Sequence, residues 1–201
     1  MTSDNQPLLP HQFGPLQGVR ILSTGHLVAQ PFVAAIAAEM GAEVIQVELP
    51  KIGDAVWRQL EFVMEGENGV STSAGWVQTR RNSFHTTLNL ASSERREIFL
   101  KLIPKVDIWM ESSIPGTYAE WGLDDATVFQ ANPKLVITHV SGYGQDGHPD
   151  YLGRASYDFI GQGFGGLTKY TSICDTGPSY HRVPIGAAYQ LCGDNLGRGP
   201  G

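Results

Sequence analysis

An open α/β fold built on a parallel sheet is what this sequence predicts, on three observations. Short apolar, β-branched runs recur at residues 18–23, 42–48, 106–111 and 135–141. Segments with apolar residues at helical spacing lie between them, and glycine-containing loops follow several of the runs. Size and composition agree, since 201 residues that are 41% hydrophobic and 17% charged suit one ordinary core.

Residues 1–16 are polar and proline-rich, lack periodicity, and read as an extended arm. The run 18–23 is the first buried strand; Pro31 then sits in the first turn of a helix over 31–40 that Gly41 closes. Residues 42–48 form the second strand, so the first sixty residues make a βαβ unit with a right-handed crossover. Residues 50–80, with Gly53-Asp54, Gly66 and Gly69-Val70-Ser71, read as an irregular loop over a site, and 86–90 as a brief extended piece. Ser92 or Ser93 caps a helix over 94–105, where Ile98, Leu102 and Ile103 share a face and Glu97 precedes Lys101 by four. A third strand over 106–111 leads through the turn Ile114-Pro115-Gly116 to a helix carrying Tyr118 and Trp121, which Gly122 ends. A helix over 124–131 stops before Asn132-Pro133; strand 135–141 runs into the loop Gly142-Tyr143-Gly144; and 156–163 is helical again. This is the order of an open parallel, Rossmann-like sheet with flanking helices, in which ligands lie beyond the carboxyl ends of the strands.

Several functions are disfavoured. A net charge of -6 offers no basic stripe for a nucleic-acid backbone. The apolar stretch at 33–38 is far short of the roughly 20 residues that span a bilayer. Cys174 and Cys192 form no CxxC pattern and no basic-then-apolar leader opens the chain, which points to a cytoplasmic protein. The turn Ser23-Thr24-Gly25-His26-Leu27-Val28 carries one glycine where a dinucleotide fold needs several, so NAD is not expected, and Glu48, at the place of a ribose-binding acid, reads as ordinary surface. The six histidines have no metal-ligand spacing, so no metal is expected, and no GxSxG elbow is present.

A series of short motifs stands in a fixed order: Val19-Arg20-Ile21-Leu22, Gln30-Pro31-Phe32, the run from Gly41 to Glu48, Gly53-Asp54, Arg81-Asn82-Ser83, Leu88-Asn89-Leu90, Arg96-Glu97-Ile98-Phe99, Asn132-Pro133-Lys134, Ser141-Gly142-Tyr143-Gly144-Gln145 and Tyr157-Asp158-Phe159. In this order they resemble the class III CoA-transferases of the CaiB/BaiF type, over residues 13 to about 190. The opening Phe13-Gly14-Pro15-Leu16 and Arg80-Arg81-Asn82 look nearest to the carnitine CoA-transferase branch.

The resemblance implies the large domain of such an enzyme over 17–190, incomplete here, followed by an atypical glycine-rich tail over 191–201. Its implied substrates are an acyl-CoA and a small carboxylic acid, with a carnitine-like acid possible. CoA would pass between them through an aspartyl-CoA and mixed-anhydride intermediate. It further implies CoA contacts at His26, Leu27, Val28 and Ala29, ahead of a helix whose amino end favours anions. Leu88, Asn89 and Ser112 fall where relatives touch CoA, and Arg81 is a candidate for a phosphate. The family's nucleophilic aspartate is expected four residues after Pro184, where Ala188 stands, and Asp194 takes the slot if a short insertion has occurred. Asp158 is a candidate supporting acid near the thioester. Racemases of this fold place a histidine where Tyr157 stands, which makes a racemase the weaker alternative; an inactive, truncated CoA-binding fragment is another. Complete relatives are expected to be about twice as long and to form interlocked homodimers.

Overall fold

The computed structural model describes residues 14–54, 58, 63–66, 69 and 71–166, in two units divided between His139 and Val140. In the first unit, β1 (Arg20–Ser23) pairs in parallel with β2 (Glu43–Glu48), Arg20 opposite Glu43 and Ser23 opposite Gln46. Helix α1 (Ala29–Glu39) crosses between them. Its buried Ala34, Ala37 and Ala38 let it lie close on Ile21, Val44 and Met110 of the sheet. It begins two residues before Pro31, because the left-handed turn comes earlier, at Leu27 (φ 64°), and Val28 is the N-cap. Met40 closes it, and Gly41 (φ 98°) supplies the positive φ that a side chain would resist.

The stretch expected to be irregular is more ordered than its composition suggests. It holds an antiparallel pair, β3 (Val63–Glu65) and β4 (Ser71–Ser73), and helix α2 (Ala74–Thr79), whose N-cap Ser73 accepts from the Trp76 amide. Strands of three residues and a helix of six are too short to show periodicity. Strand β5 is Ser83–Thr87, three residues ahead of the expected extended piece. It pairs with β2 from Val44 opposite Ser83 to Glu48 opposite Thr87, and this register leaves Leu88–Ala91 beyond the strand's carboxyl end.

Helix α3 (Ser93–Leu102) tightens into a 3-10 turn over Ile103–Lys105, because Pro104 cannot donate the bond that would continue the helix. Strand β6 (Ile108–Glu111), short helix α4 (Thr117–Glu120), α5 (Asp125–Ala131) and β7 (Val136–His139) follow, with Asp124 capping the Thr127 amide at 2.9 Å. The sheet is wholly parallel, in the order β5-β2-β1-β6-β7. Alternate residues feed two cores. Leu22, Val47 and Trp109 pack with Phe99, Ile103, Tyr118, Leu123 and Val128, while Ile21, Val44 and Met110 meet α1. The chain reverses its direction of winding between β1 and β6, so a crevice opens at their carboxyl ends.

In the second unit, α6 (Pro149–Leu152) and α7 (Asp158–Phe164) flank an aromatic group of Tyr143, Tyr151 and Phe164, with centroids 5.3–5.7 Å apart. A side chain at Gly142 would collide with Ser156, which explains a glycine there. Of the arm expected over 1–16, residues 14–16 are described and Leu16 donates its amide to the Met40 carbonyl at 3.0 Å, while 1–13, Ala188 and the tail over 191–201 with Asp194 lie outside the described residues.

Candidate functional site

A cavity of about 610 Å³ opens where β1, β2, β5 and β6 end. Thr24, His26 and Leu27 line it after β1, Glu48 to Asp54 in part after β2, Leu88 to Ala91 after β5, and Ser113, Tyr118 and Trp121 after β6. Its wall is chiefly aliphatic and aromatic with a few polar groups, the usual make-up of a small-molecule site.

Thr24 is the hub at the back. Its buried hydroxyl accepts from Trp109 Nε1 at 3.0 Å and from the Tyr118 hydroxyl at 2.7 Å, and Trp109 meets Tyr118 edge-on at 4.9 Å. Burial, the largest influence on Tyr118, pushes its phenol up to about 12, so it stays a neutral donor. The adjoining loop is fixed by Ser112, whose Oγ accepts the His26 amide at 3.0 Å. Desolvation lowers His26 below the ordinary histidine value, with Asp54 acting in the opposite sense and Arg80 in the same, so its imidazole is neutral at pH 7.

Glu48, read from sequence as ordinary surface, is buried at 2% exposure. A strand-end acid taken alone gives no sign of the partners that the fold brings to it. Here Oε2 accepts from Arg58 Nε at 2.7 Å, and Oε1 meets Arg58 Nη2 at 3.0 Å and His85 Nδ1 at 2.8 Å. Burial alone would raise this carboxyl; the bonds from His85 and Arg58, and their charges, outweigh it and hold it at about 2. The Arg58 guanidinium lies 4.2 Å over the Trp76 ring, which in turn packs on His85. Beside this group Asp54 forms an ion pair with Arg80, both side chains 3% exposed or less. Burial lowers the Arg80 guanidinium below the usual arginine value, against the pull of Asp54.

The fold thus brings His26, Leu27, Leu88 and Asn89 together in one cavity. Val28 and Ala29 stand just beyond it as the N-cap and first residue of α1, and Ser112 braces His26. Arg81 is elsewhere engaged, paired with Glu39 and donating to the Gln78 carbonyl at 2.8 Å, and is not among the described lining residues. Asp158, on α7 in the second unit, accepts from Gln162 Nε2 at 2.9 Å; its Oδ1 is buried with no hydrogen-bond partner among the described residues. Tyr157 caps α7 and is exposed. Sequence reasoning missed Thr24, Arg58, Arg80, His85 and Tyr118 as parts of the site; the motifs ending at Glu48, at Gly53-Asp54 and opening at Arg80 each held one member of this network without showing how they pair. Among the described residues there is no group of three His, Cys, Asp or Glu side chains that could hold a metal ion, and no helix is long and apolar enough to cross a membrane.

A second ionic cluster braces the neighbouring wall. Glu111, at the end of β6, holds the amide of cavity-lining Ser113 at 2.6 Å through Oε2 and His139 Nδ1 at 2.7 Å through Oε1. His139 also reaches Asp125 at 3.2 Å. The hydrogen bond to Glu111, opposed by burial and helped by Asp125, raises His139 above the ordinary histidine value. Such a group stabilises the fold fully below the unfolded value of 6.5, and the contribution is lost as pH rises through the raised folded value. Urea unfolding at stepped pH is therefore expected to show stability falling over that window in the unaltered chain. The fall should be smaller in His139→Asn; equal slopes would contradict the assignment.

A model described as CoA-transferase family III matches residues 16–190. Bile acid CoA-transferase BaiK of Clostridium scindens is 43% identical over 159 residues, covering 79% of this chain and 33% of the relative. L-carnitine CoA-transferase of Proteus mirabilis is 38% identical over 155 residues, covering 77% of this chain and 35% of the relative. The chain spans about a third of the length of these curated relatives. Among solved structures, a CAIB/BAIF family protein from Brucella suis superposes with a TM-score of 0.79 at 29% identity, over 88% of this chain and 46% of that one.

Proposed function

Because the chain belongs to CoA-transferase family III, we propose that it forms the coenzyme-holding part of an enzyme that moves CoA from an acyl-CoA to a small carboxylic acid. The observation that carries this reading is the convergence of His26, Leu27, Leu88 and Asn89 on one largely apolar cavity at strand ends. Its aliphatic and aromatic wall suits a base and ribose. Val28 and Ala29 put the amino end of an 11-residue helix, with no side-chain cap on it, nearby for a phosphate.

The chemistry we assign is acyl transfer through a carboxylate, with Asp194 as nucleophile. Its oxygen attacks the thioester carbonyl, the C–S bond breaks, and CoA leaves as a thiolate, giving a mixed anhydride. The thiolate then attacks the aspartyl carbonyl, forming an aspartyl-CoA thioester and freeing the first acid. The incoming carboxylate attacks that thioester and the thiolate returns to its acyl carbon, so product forms and Asp194 is regenerated. Asp158 is the supporting acid in this reading, and an interlocked homodimer its working form. Carnitine-like acids are among the acceptors to be tried.

Calorimetry of the chain with CoA is expected to show binding and a matching rise in unfolding temperature; absence of both at millimolar ligand would dismiss the coenzyme site. Hydroxylamine added during turnover with acyl-CoA is expected to leave a hydroxamate on Asp194. An unmodified Asp194 peptide from an active sample would remove that residue from the role.

A further inference from the structure

Beneath the loop that carries His26 and Leu27 lies a polar chain with no part yet assigned. Ser23, Gln30 and Gln46 are each 2% exposed or less. Gln30 Nε2 donates to Ser23 Oγ at 2.9 Å, and Ser23 Oγ donates its single proton to Gln46 Oε1. Gln46 Nε2 then donates to the Gly25 carbonyl at 3.0 Å and shares a longer contact with the Val47 carbonyl. Gln30 Oε1 also lies 3.2 Å from Ser23 Oγ, but the hydroxyl's one proton serves the nearer Gln46 Oε1, so the chain runs from helix α1 through two strands into the loop.

The loop needs such a brace. Leu27 holds φ at 64°, a conformation costly for a residue with a Cβ, and it does so where it lines the cavity. The packing is also exclusive. A Cβ at Gly25 would collide with Gln30 Oε1 and come within 2.8 Å of Ser112 Oγ, so the Gln30 carboxamide fills the space that the glycine leaves.

We infer that Gln30 is a positioning residue for the ligand. Through Ser23 and Gln46 it sets the Gly25–Leu27 backbone in the shape that meets the bound coenzyme. This rests on the CoA reading above, since that reading identifies what the loop meets.

Gln30→Met and Gln46→Met keep the side-chain length and remove the amide. Amide exchange of residues 25–28 in the free protein and calorimetry with CoA are the two readouts. In each single variant, exchange at His26 and Leu27 is expected to quicken about tenfold and CoA affinity to fall about tenfold, the worth of one buried hydrogen bond. The double variant should lose less than the product of the two, because both break the same chain. If a methionine variant does not fold, Gln30→Glu serves, since a carboxylate cannot donate to Ser23, and the same quickening is expected. Unchanged loop exchange overturns the inference, whatever happens to the unfolding temperature; so do effects that simply multiply. If the unaltered chain binds no CoA, the coenzyme reading fails, while the exchange readout still decides whether Gln30 shapes the loop.

Discussion

Asp54→Ala is expected to cost about 3–5 kcal/mol of folding stability, because it strips the partner from a charge that is out of water. The Arg80 side chain is 2% exposed, and its Nε and Nη1 are buried without a hydrogen-bond partner among the described residues. Only Nη2 is held, by Asp54. A domain with about 5–15 kcal/mol in total does not tolerate that loss well. Chemical denaturation should show it directly. Asp54→Ala combined with Arg80→Met should recover much of the deficit, since an apolar pair needs no counter-charge. Breaking the more exposed pair of Arg20 and Glu43 should cost no more than about 1 kcal/mol. A comparably small cost at Asp54 would mean that water reaches Arg80 in solution.

Trp109→Ala is expected to be of similar size, about 3–5 kcal/mol, for a different reason. The ring is wholly buried between Phe99 and Tyr118, with centroids at 5.4 and 4.9 Å, and its removal leaves a void that the rigid sheet cannot close. The substitution also removes the donor at 3.0 Å from Thr24 and leaves Tyr118 alone on that hydroxyl. Since Thr24 and Tyr118 both line the cavity, CoA affinity should fall along with stability. Trp109→Phe keeps most of the packing and should cost a smaller part of each. Denaturation and calorimetry on both variants separate the two effects; full stability in Trp109→Ala would contradict the packing described.

The parallel sheet was legible because its central strands are covered on both faces and therefore read as largely apolar runs, as in Val44-Ile45 and Ile108-Trp109-Met110. Strand β5 was misplaced by three residues for the converse reason. It is a polar edge, Ser83-Phe84-His85-Thr86-Thr87, while the apolar Leu88 and Leu90 that follow it point to the cavity and core rather than marking the strand. The cavity's nonpolar contacts at Leu27 and Leu88 came through the ordered motifs. The ionic side did not, because Glu48, Arg58 and His85 are spread over 38 residues, from 48 to 85, and only the β2-β5 pairing brings the acid and the histidine together. Gln30 was visible as part of Gln30-Pro31-Phe32, yet its role depends on facing Ser23 and Gln46 across the crossover, a relation that spacing along the chain does not encode.

Hydrogen exchange of the chain with and without saturating CoA, resolved to short peptides, bears most directly on the coenzyme site. Protection is expected at residues 24–28, 48–54 and 88–91, the three segments that meet at the cavity. Protection confined to other surfaces, such as the outer face of α3, or none at all in a sample that binds CoA, would contradict it.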